Sequence, residues 1–217
     1  MGLTLYSSWR ATAPYRVRIG LNLKGLAYDY VGVDLLGGEA RREPYIGLNP
    51  QGLVPALATG AGLLTQSLAI LEWLEETHPE PPLLPAAPGD RATVRAMAEI
   101  VACDIHPLNN LRVGQALNRL GFAFGGPEQT AWIHGWMAAG FDALEPMVAE
   151  HGADFCFGDA PGLADCCLIP QLYSANRYAF DLAPYPAIKG IAERAAEHPA
   201  FAAAHPDRQP DAKPAPT

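Results

Sequence analysis

The chain has 217 residues, with 15 Lys+Arg against 23 Asp+Glu, a formal net charge of −8, 49% hydrophobic residues and 18% charged ones. That balance excludes a disordered chain, which combines low hydrophobicity with high charge, and it argues against a nucleic-acid binder, which needs a basic face. Apolar runs stop short of the ~18 residues that span a bilayer and the first residues lack the apolar stretch of a signal peptide, so the expectation is a soluble, cytoplasmic protein of one large or two small domains.

Leu3–Tyr6 reads as a short strand. Pro14–Lys24 reads as a helix, with Pro14 at its first position, Ala13 as the cap residue and Gly25 just past its end. Arg16 and Arg18 on that helix are expected to be solvated or in salt bridges at a dimer interface. Tyr28–Val33 is β-rich. Gly38–Leu48 is polar with a helical tendency, and it leads to the turn signal Asn49-Pro50-Gln51-Gly52. Two short strands follow, Pro55–Leu57 and Leu63–Thr65, with Gly60 and Gly62 between them. Ser67–Glu76 is an amphipathic helix with Leu68, Leu71 and Leu74 on one face. The expected order is therefore β-α-β-α-β-β-α.

Thr77–Asp90 holds Pro79, Pro81, Pro82, Pro85 and Pro88, a density that stops helix and sheet alike. It is the expected boundary between a domain at 1–84 and a second at 91–217. The second reads as all helical: Arg91–Asn118 kinked at Pro107, Glu128–Glu150, Leu163–Tyr178 and Pro186–Glu197. Trp132 and Trp136 share a helical face and are assigned to the core. The residues from His205 onward are polar and rich in proline, which predicts a loose tail. The cysteines, Cys103, Cys156, Cys166 and Cys167, form no CxxC and are expected to be small buried hydrophobes. The six histidines show no HExxH or HxH spacing, so no metal is expected. Twelve of the 15 basic residues are Arg, whose planar fork suits carboxylates.

Three short segments carry the chemistry. The loop Ser7–Ala13 runs from a strand into a helix, where first-turn N–H groups lack partners and the helix end is partly positive. An alanine cap offers no oxygen, so the donors stay free for a ligand. Arg10 adds a charge and Thr12 a hydroxyl. Such a place favours a thiolate or carboxylate; the alternative is an ordinary solvated turn. In Asn49–Pro55, a proline entering a strand suggests a cis bond that turns the Val54 backbone groups outward; the alternative is a trans turn. At Gln66-Ser67, the serine either caps its own helix or holds a ligand carboxylate there.

The segments YSSWRATAPYRVRIGLNL (Tyr6–Leu23), NPQGLVPAL (Asn49–Leu57) and TQSLAILEWLEE (Thr65–Glu76) resemble the zeta class of glutathione transferases, as do CDIHPLNNLR (Cys103–Arg112), GDAPGLADCCLIPQ (Gly158–Gln171) and DLAPYPAI (Asp181–Ile188). That class contains the maleylacetoacetate and maleylpyruvate isomerases. The resemblance implies the glutathione transferase fold, an α/β thioredoxin-like N-terminal domain plus an all-α C-terminal helical bundle, and a homodimer. It implies glutathione as cofactor and a small dicarboxylate as substrate. By the same likeness Val54 pairs with the cysteinyl backbone of glutathione beside a cis Pro55, and Gln66 and Ser67 hold the γ-glutamyl end. Ala13, Gln51, His106, Asn109 and Asn110 are the further candidates for glutathione binding, and Arg10, Arg112 and Arg177 for the acidic substrate. Arg10 and Thr12 are the expected catalytic residues.

The sequence departs from the family pattern in places. The family loop often reads Ser-Ser-Cys where this chain has Ala11-Thr12-Ala13, so either Thr12 takes over the thiolate contact or the helix N–H groups and Arg10 suffice. Gly162 stands in place of a Ser/Thr cap, and Asp165 is expected to be a buried structural acceptor. His106 is either a general base or a core histidine, with positioning favoured; Asn109 and Asn110 are either cap or solvent residues of a kinked helix, or face the site. The implied reaction is the cis–trans isomerisation of a maleyl keto acid in aromatic catabolism: a thiol adds to the conjugated double bond, the single bond rotates, and elimination returns the thiol. Two alternatives stand beside it, a broader transferase or dehalogenase acting on α-halo acids and a non-catalytic glutathione binder.

Overall fold

A computed structural model describes residues 2–213 of the chain. They fall into two compact units: Leu84–Ala195 form one, and the segments on either side of it form the other. Residues 196–213 thus pack with the N-terminal fold and not, as chain order suggested, with the helical segment that precedes them. The physical reason lies in their burial, described below.

The first unit is built on four strands, β1 (Leu3–Ser7), β2 (Tyr28–Gly32), β3 (Ala56–Thr59) and β4 (Gly62–Thr65), in the order β2-β1-β3-β4. The β1–β2 pair is parallel and the other two are antiparallel. A parallel pair needs a crossover, usually a helix, and α1 (Thr12–Leu23) supplies it. Alternation along the strands sends Leu5 and Leu57 into the core, where both are fully buried.

Helix α1 is buried almost all round, as expected of a helix covered on more than one face. Gly20 admits the side chain of Leu71 from α3 (Ser67–Thr77). On another side lies α9 (Pro199–Ala204), whose Phe201 and Ala204 are buried. The chain leaves α1 through Gly25 at φ +66°, a left-handed position that glycine takes without a Cβ clash. Between β2 and β3 the polar stretch is a short 3-10 turn, Glu39–Arg41, and a single helical turn, α2 (Tyr45–Leu48), separated by the cis Glu43–Pro44 bond.

The expected loose tail is, over residues 205–213, held in place. Gln209 is buried and its Nε2 donates to the carbonyls of Ala203 (3.1 Å) and His205 (2.8 Å). Asp211 accepts hydrogen bonds from Trp9 and Tyr30. Polar, proline-rich composition signals looseness only where such groups find water alone; here they find backbone partners. Residues 214–217 lie outside the described residues.

The second unit is helical: α4 (Pro88–Glu99), α5 (Leu111–Arg119), α6 (Pro127–His151), α7 (Leu163–Arg177) and α8 (Pro186–Glu197). The helix predicted over 91–118 is interrupted by a π-helical stretch, Ile100–Ile105, and a 3-10 turn, His106–Asn109. Pro107 has no N–H to give and its ring would crowd the carbonyl four residues earlier. The backbone widens before it and tightens after it, and Gly140 on α6 leaves room for Ile105. Asp165 is buried and accepts from the amides of Cys156 (2.9 Å) and Gly162 (2.8 Å), the structural role expected of it. Trp132 and Trp136 are not core residues: they are 37% and 39% exposed, edge to face, with Trp132 Nε1 donating to the Leu108 carbonyl. Of the cysteines, Cys156, Cys166 and Cys167 are buried, but Cys103 is exposed. No helix among the described residues is long and apolar enough to cross a membrane.

Candidate active site

The sheet brings three of the sequence segments to one edge. Tyr6 of β1 is in register with Ala56 of β3, and Ala56 with Thr65 of β4. Adjacent strands lie about 4.8 Å apart. The loop leaving β1, the Val54-Pro55 entry to β3 and the Gln66-Ser67 exit from β4 therefore emerge side by side.

At the first of these, α1 begins earlier than predicted. Its cap is Ala11 (φ −75°, ψ 131°), with no side-chain hydrogen bond, and Thr12 is the first helical residue. Pro14 is third, and Ala13 lies inside the first turn instead of capping it. Proline is tolerated there because the first-turn N–H groups have no intrahelical acceptor in any case. The cap is still an alanine, so the amides of Thr12 and Ala13 keep their outward donors. The Tyr15 amide donates to the Ala11 carbonyl at 3.2 Å and closes the turn. Thr12 is buried, and Arg10 is half-buried with its guanidinium 5.5 Å from the centroid of the Trp9 ring.

The second segment is stapled to its surroundings. Val54–Pro55 is cis, one of the alternatives the sequence left open. Asn49, itself buried, donates through Nδ2 to the Leu53 carbonyl at 2.8 Å and accepts from the Gln51 amide at 3.2 Å. The Tyr45 hydroxyl donates to the same Leu53 carbonyl at 2.6 Å. Burial pushes the Tyr45 phenol above its usual pKa. These bonds fix the peptide just before Val54, whose side chain packs on the Val33, Ala40 and Tyr45 cluster.

At the third, Gln66 sits at φ 69°, ψ 120°, a left-handed backbone for a residue with a Cβ. Such outliers persist where the surroundings over-determine them, and they gather at ligand sites. Gln66 Nε2 donates to Gln51 Oε1 at 2.8 Å, so the second and third segments touch. Ser67 opens α3 and is buried; no side-chain cap bond closes that helix end. Its hydroxyl accepts from Arg16 Nη1 at 3.2 Å.

Arg16 and Arg18 are therefore neither solvated nor at the surface where a dimer-interface salt bridge could form: they are 2% and 0% exposed. Arg18 donates to Ser7 Oγ (3.0 Å), the Trp9 carbonyl (2.8 Å) and the Ala204 carbonyl (3.0 Å). Burial lowers its pKa, opposed by the nearby Tyr30 and Tyr28 phenols. The sequence signal for both was an arginine pair set in an otherwise apolar helix; nothing local named their partners.

The remaining candidates lie in the helical unit. His106 and Asn109 are half-buried in the 3-10 turn. Asn110 takes the capping alternative, its side-chain oxygen accepting from the Arg112 amide at 3.1 Å. The buried amide atoms of Asn109 have no hydrogen-bond partner among the described residues. Arg112 is exposed in the first turn of α5, and Arg177 is exposed at the end of α7, its guanidinium 5.9 and 5.7 Å from the Tyr173 and Tyr178 rings.

A four-stranded sheet with one antiparallel half, an uncapped helix after β1, a cis proline before β3 and a strained residue after β4 together define a glutathione transferase. Residues 13–82 match the family model of the glutathione S-transferase N-terminal domain and residues 130–203 that of the C-terminal domain. The chain belongs to the glutathione S-transferase family, and within it to the zeta class. It is 48% identical to maleylacetoacetate isomerase of Pseudomonas aeruginosa, over 96% of this chain and 98% of that one. It is also 48% identical to the holo structure of maleyl pyruvate isomerase, a bacterial zeta-class member, with TM-score 0.92 over 97% and 100% of the two chains. To maleylacetoacetate isomerase of Anaeromyxobacter dehalogenans 2CP-1, solved with glutathione in its active site, it is 47% identical, with TM-score 0.89 over 98% of each chain.

Proposed function

We propose that the protein is a glutathione-dependent cis–trans isomerase that converts a maleyl keto acid, maleylpyruvate or maleylacetoacetate, to its fumaryl form, as a cytoplasmic homodimer. The observation that carries this reading is the sheet edge where an uncapped helix end, a backbone-presenting cis-proline turn and a strained glutamine converge. Those features fit a tripeptide thiol: an extended backbone edge at Val54, a carboxylate acceptor site at Gln66-Ser67 backed by the Arg16 guanidinium, and free amides for the sulfur.

Bound glutathione supplies the thiolate that adds to the substrate double bond and leaves again after rotation. A free cysteine thiol has a pKa of about 8.5 and is only slightly ionised at neutral pH. The Thr12 and Ala13 amides, the Thr12 hydroxyl and the partial positive charge of α1 favour the ionised form. Arg10 receives a substrate carboxylate and opposes the charge that develops on the carbonyl oxygen during addition. Gln51, His106 and Asn109 are assigned to the rest of the peptide, and Arg112 and Arg177 to the second acidic group.

The test is turnover of each maleyl acid with catalytic glutathione, following the fumaryl product and total thiol together. The expected result is many substrate molecules isomerised per glutathione with no loss of thiol. Stoichiometric thiol consumption points instead to a conjugating transferase, and binding without either outcome to a non-catalytic protein.

A further inference from the structure

The peptide unit before Arg10 is held from distant parts of the chain. The Trp9 amide donates to Asp211 Oδ2 at 3.1 Å, 202 residues away, and the Trp9 carbonyl accepts from the buried Arg18. Both backbone polar groups of this one loop residue are thus engaged by charged side chains. The second oxygen of Asp211 accepts from the Tyr30 hydroxyl on β2 at 2.6 Å. Gly32, at the end of β2, gives Asp211 room: a Cβ there would come within 3.1 Å of the aspartate Cβ. Asp211 is presented by a firm turn, since the buried Gln209 is bound to Ala203 and His205 and its carbonyl accepts from the Ala212 amide. Within the loop itself the Ala11 amide donates to the Ser8 carbonyl at 3.0 Å, and the alanine cap adds no side-chain bond. Beyond Trp9 the linkage continues through the ring, which lies 5.5 Å from the Arg10 guanidinium carbon, within cation–π range.

We propose that Asp211 and Trp9 are positioning residues for Arg10: the carboxylate fixes the Trp9 peptide, and the Trp9 ring seats the guanidinium that receives the acidic substrate. This rests on the assignment of Arg10 to the substrate in the reading above. A merely structural strap would lower stability when cut and leave the handling of substrate to Arg10 unchanged. A positioning strap acts through Arg10 and has no effect once Arg10 is gone.

The experiment uses the full chain with Asp211→Ala, Asp211→Asn, Trp9→Leu, Arg10→Ala and the Asp211→Ala/Arg10→Ala pair. Lys213→Ala is the control, since Lys213 lies on the same segment and reaches Asp34, at 3.6 Å on the surface. KM and kcat for maleylpyruvate, the glutathione Kd and the melting curve are measured for each. Loss of a hydrogen bond to a charged group predicts a KM about tenfold higher for Asp211→Ala; Trp9→Leu keeps its main-chain bonds and loses the ring under Arg10, which predicts a KM a few-fold higher. The glutathione Kd stays near that of the wild type, and Lys213→Ala behaves as the wild type. Asp211→Asn keeps one acceptor oxygen and falls between. On the Arg10→Ala background, Asp211→Ala adds nothing to KM.

A folded Asp211→Ala protein with unchanged KM overturns the proposal, and so does a full additional loss on the Arg10→Ala background. If Asp211→Ala does not fold, Asp211→Asn is judged by the same two criteria. If the wild type turns over neither maleylpyruvate nor maleylacetoacetate, the functional reading fails on its own. The positioning is then decided by binding of malonate, an unreactive dianion, in the presence of glutathione. Malonate affinity that depends on Arg10 and falls with Asp211→Ala supports it; affinity indifferent to either residue overturns it.

Discussion

In the proposed function, Thr12 and Arg10 divide the work of the first loop between sulfur and substrate. Thr12 is the hydroxyl that remains where the family often has serine and cysteine, and it opens α1 beside the free Ala13 amide. Removing it leaves the amides in place, so Thr12→Ala is expected to lower kcat about tenfold and to raise the pKa of bound glutathione by up to about one unit. The thiolate absorbance of the binary complex, titrated with pH, checks this; an unchanged pKa and rate would end the assignment to the hydroxyl. Arg10→Ala removes a charge-assisted contact to a carboxylate. The expected cost is about 10- to 100-fold in kcat/KM for the maleyl acid with little change in glutathione affinity. The place of these two residues beside the start of α1 was legible in the sequence because it is local to one strand–helix junction. Arg16 and Arg18 were not, since what makes them buried is their partners, Ser67 and Ala204, 51 and 186 residues away.

At the scale of elements, the packing of α1 on α3 decides how the helix ends face the site. Gly20 lets Leu71 in, and the buried Lys24 at the end of α1 donates to Glu75 of α3 at 2.7 Å. Lys24 also donates to the Pro81 carbonyl at 2.7 Å, and the Leu83 amide donates to Glu75 at 2.8 Å. One ion pair therefore ties two helices and the segment that leaves the unit. Removing one partner of a buried pair leaves the other charge stranded, so Lys24→Met is expected to cost about 3–5 kcal/mol. Urea unfolding measures it; a midpoint like that of the wild type would show that the pair contributes nothing net. In the helical unit, apolar periodicity predicted one kinked helix over 91–118. It could not show the π-helical stretch, because the accommodation lies in Gly140 on another helix. The same periodicity put Trp132 and Trp136 in the core, since a shared apolar face looks the same whether or not an element covers it.

At the scale of the whole molecule, tyrosines set the alkaline limit. Burial raises the pKa of Tyr28, Tyr45 and Tyr30, the last also through its bond to the Asp211 carboxylate. Tyr185, bonded to Asp142, is pushed up to about 12, again chiefly by burial. Unfolded tyrosines lose their protons near pH 10. Above that pH the folded chain binds more protons than the unfolded one, so stability is complete below about pH 10 and falls as pH rises. Melting temperatures recorded between neutral pH and pH 11.5 are expected to hold level and then decline past pH 10, with a shallower decline in Tyr30→Phe. A decline that begins well below pH 9 would assign the loss to other groups.

By itself the sequence determined what is written in short windows: the strand and helix order of the first unit, the proline boundary, the donors at Arg10–Ala13, the turn before Pro55 and the Gln66-Ser67 helix start. Capping, turn chemistry and apolar period act over a few residues, so they can be read without a fold. Only the tertiary structure decided that α1 starts at Thr12, that its arginines are buried, that Gln51 meets Gln66 and that residues 205–213 close back on the first loop. Those outcomes depend on contacts between residues far apart in the chain, and such contacts exist only once the sheet and its helices have packed.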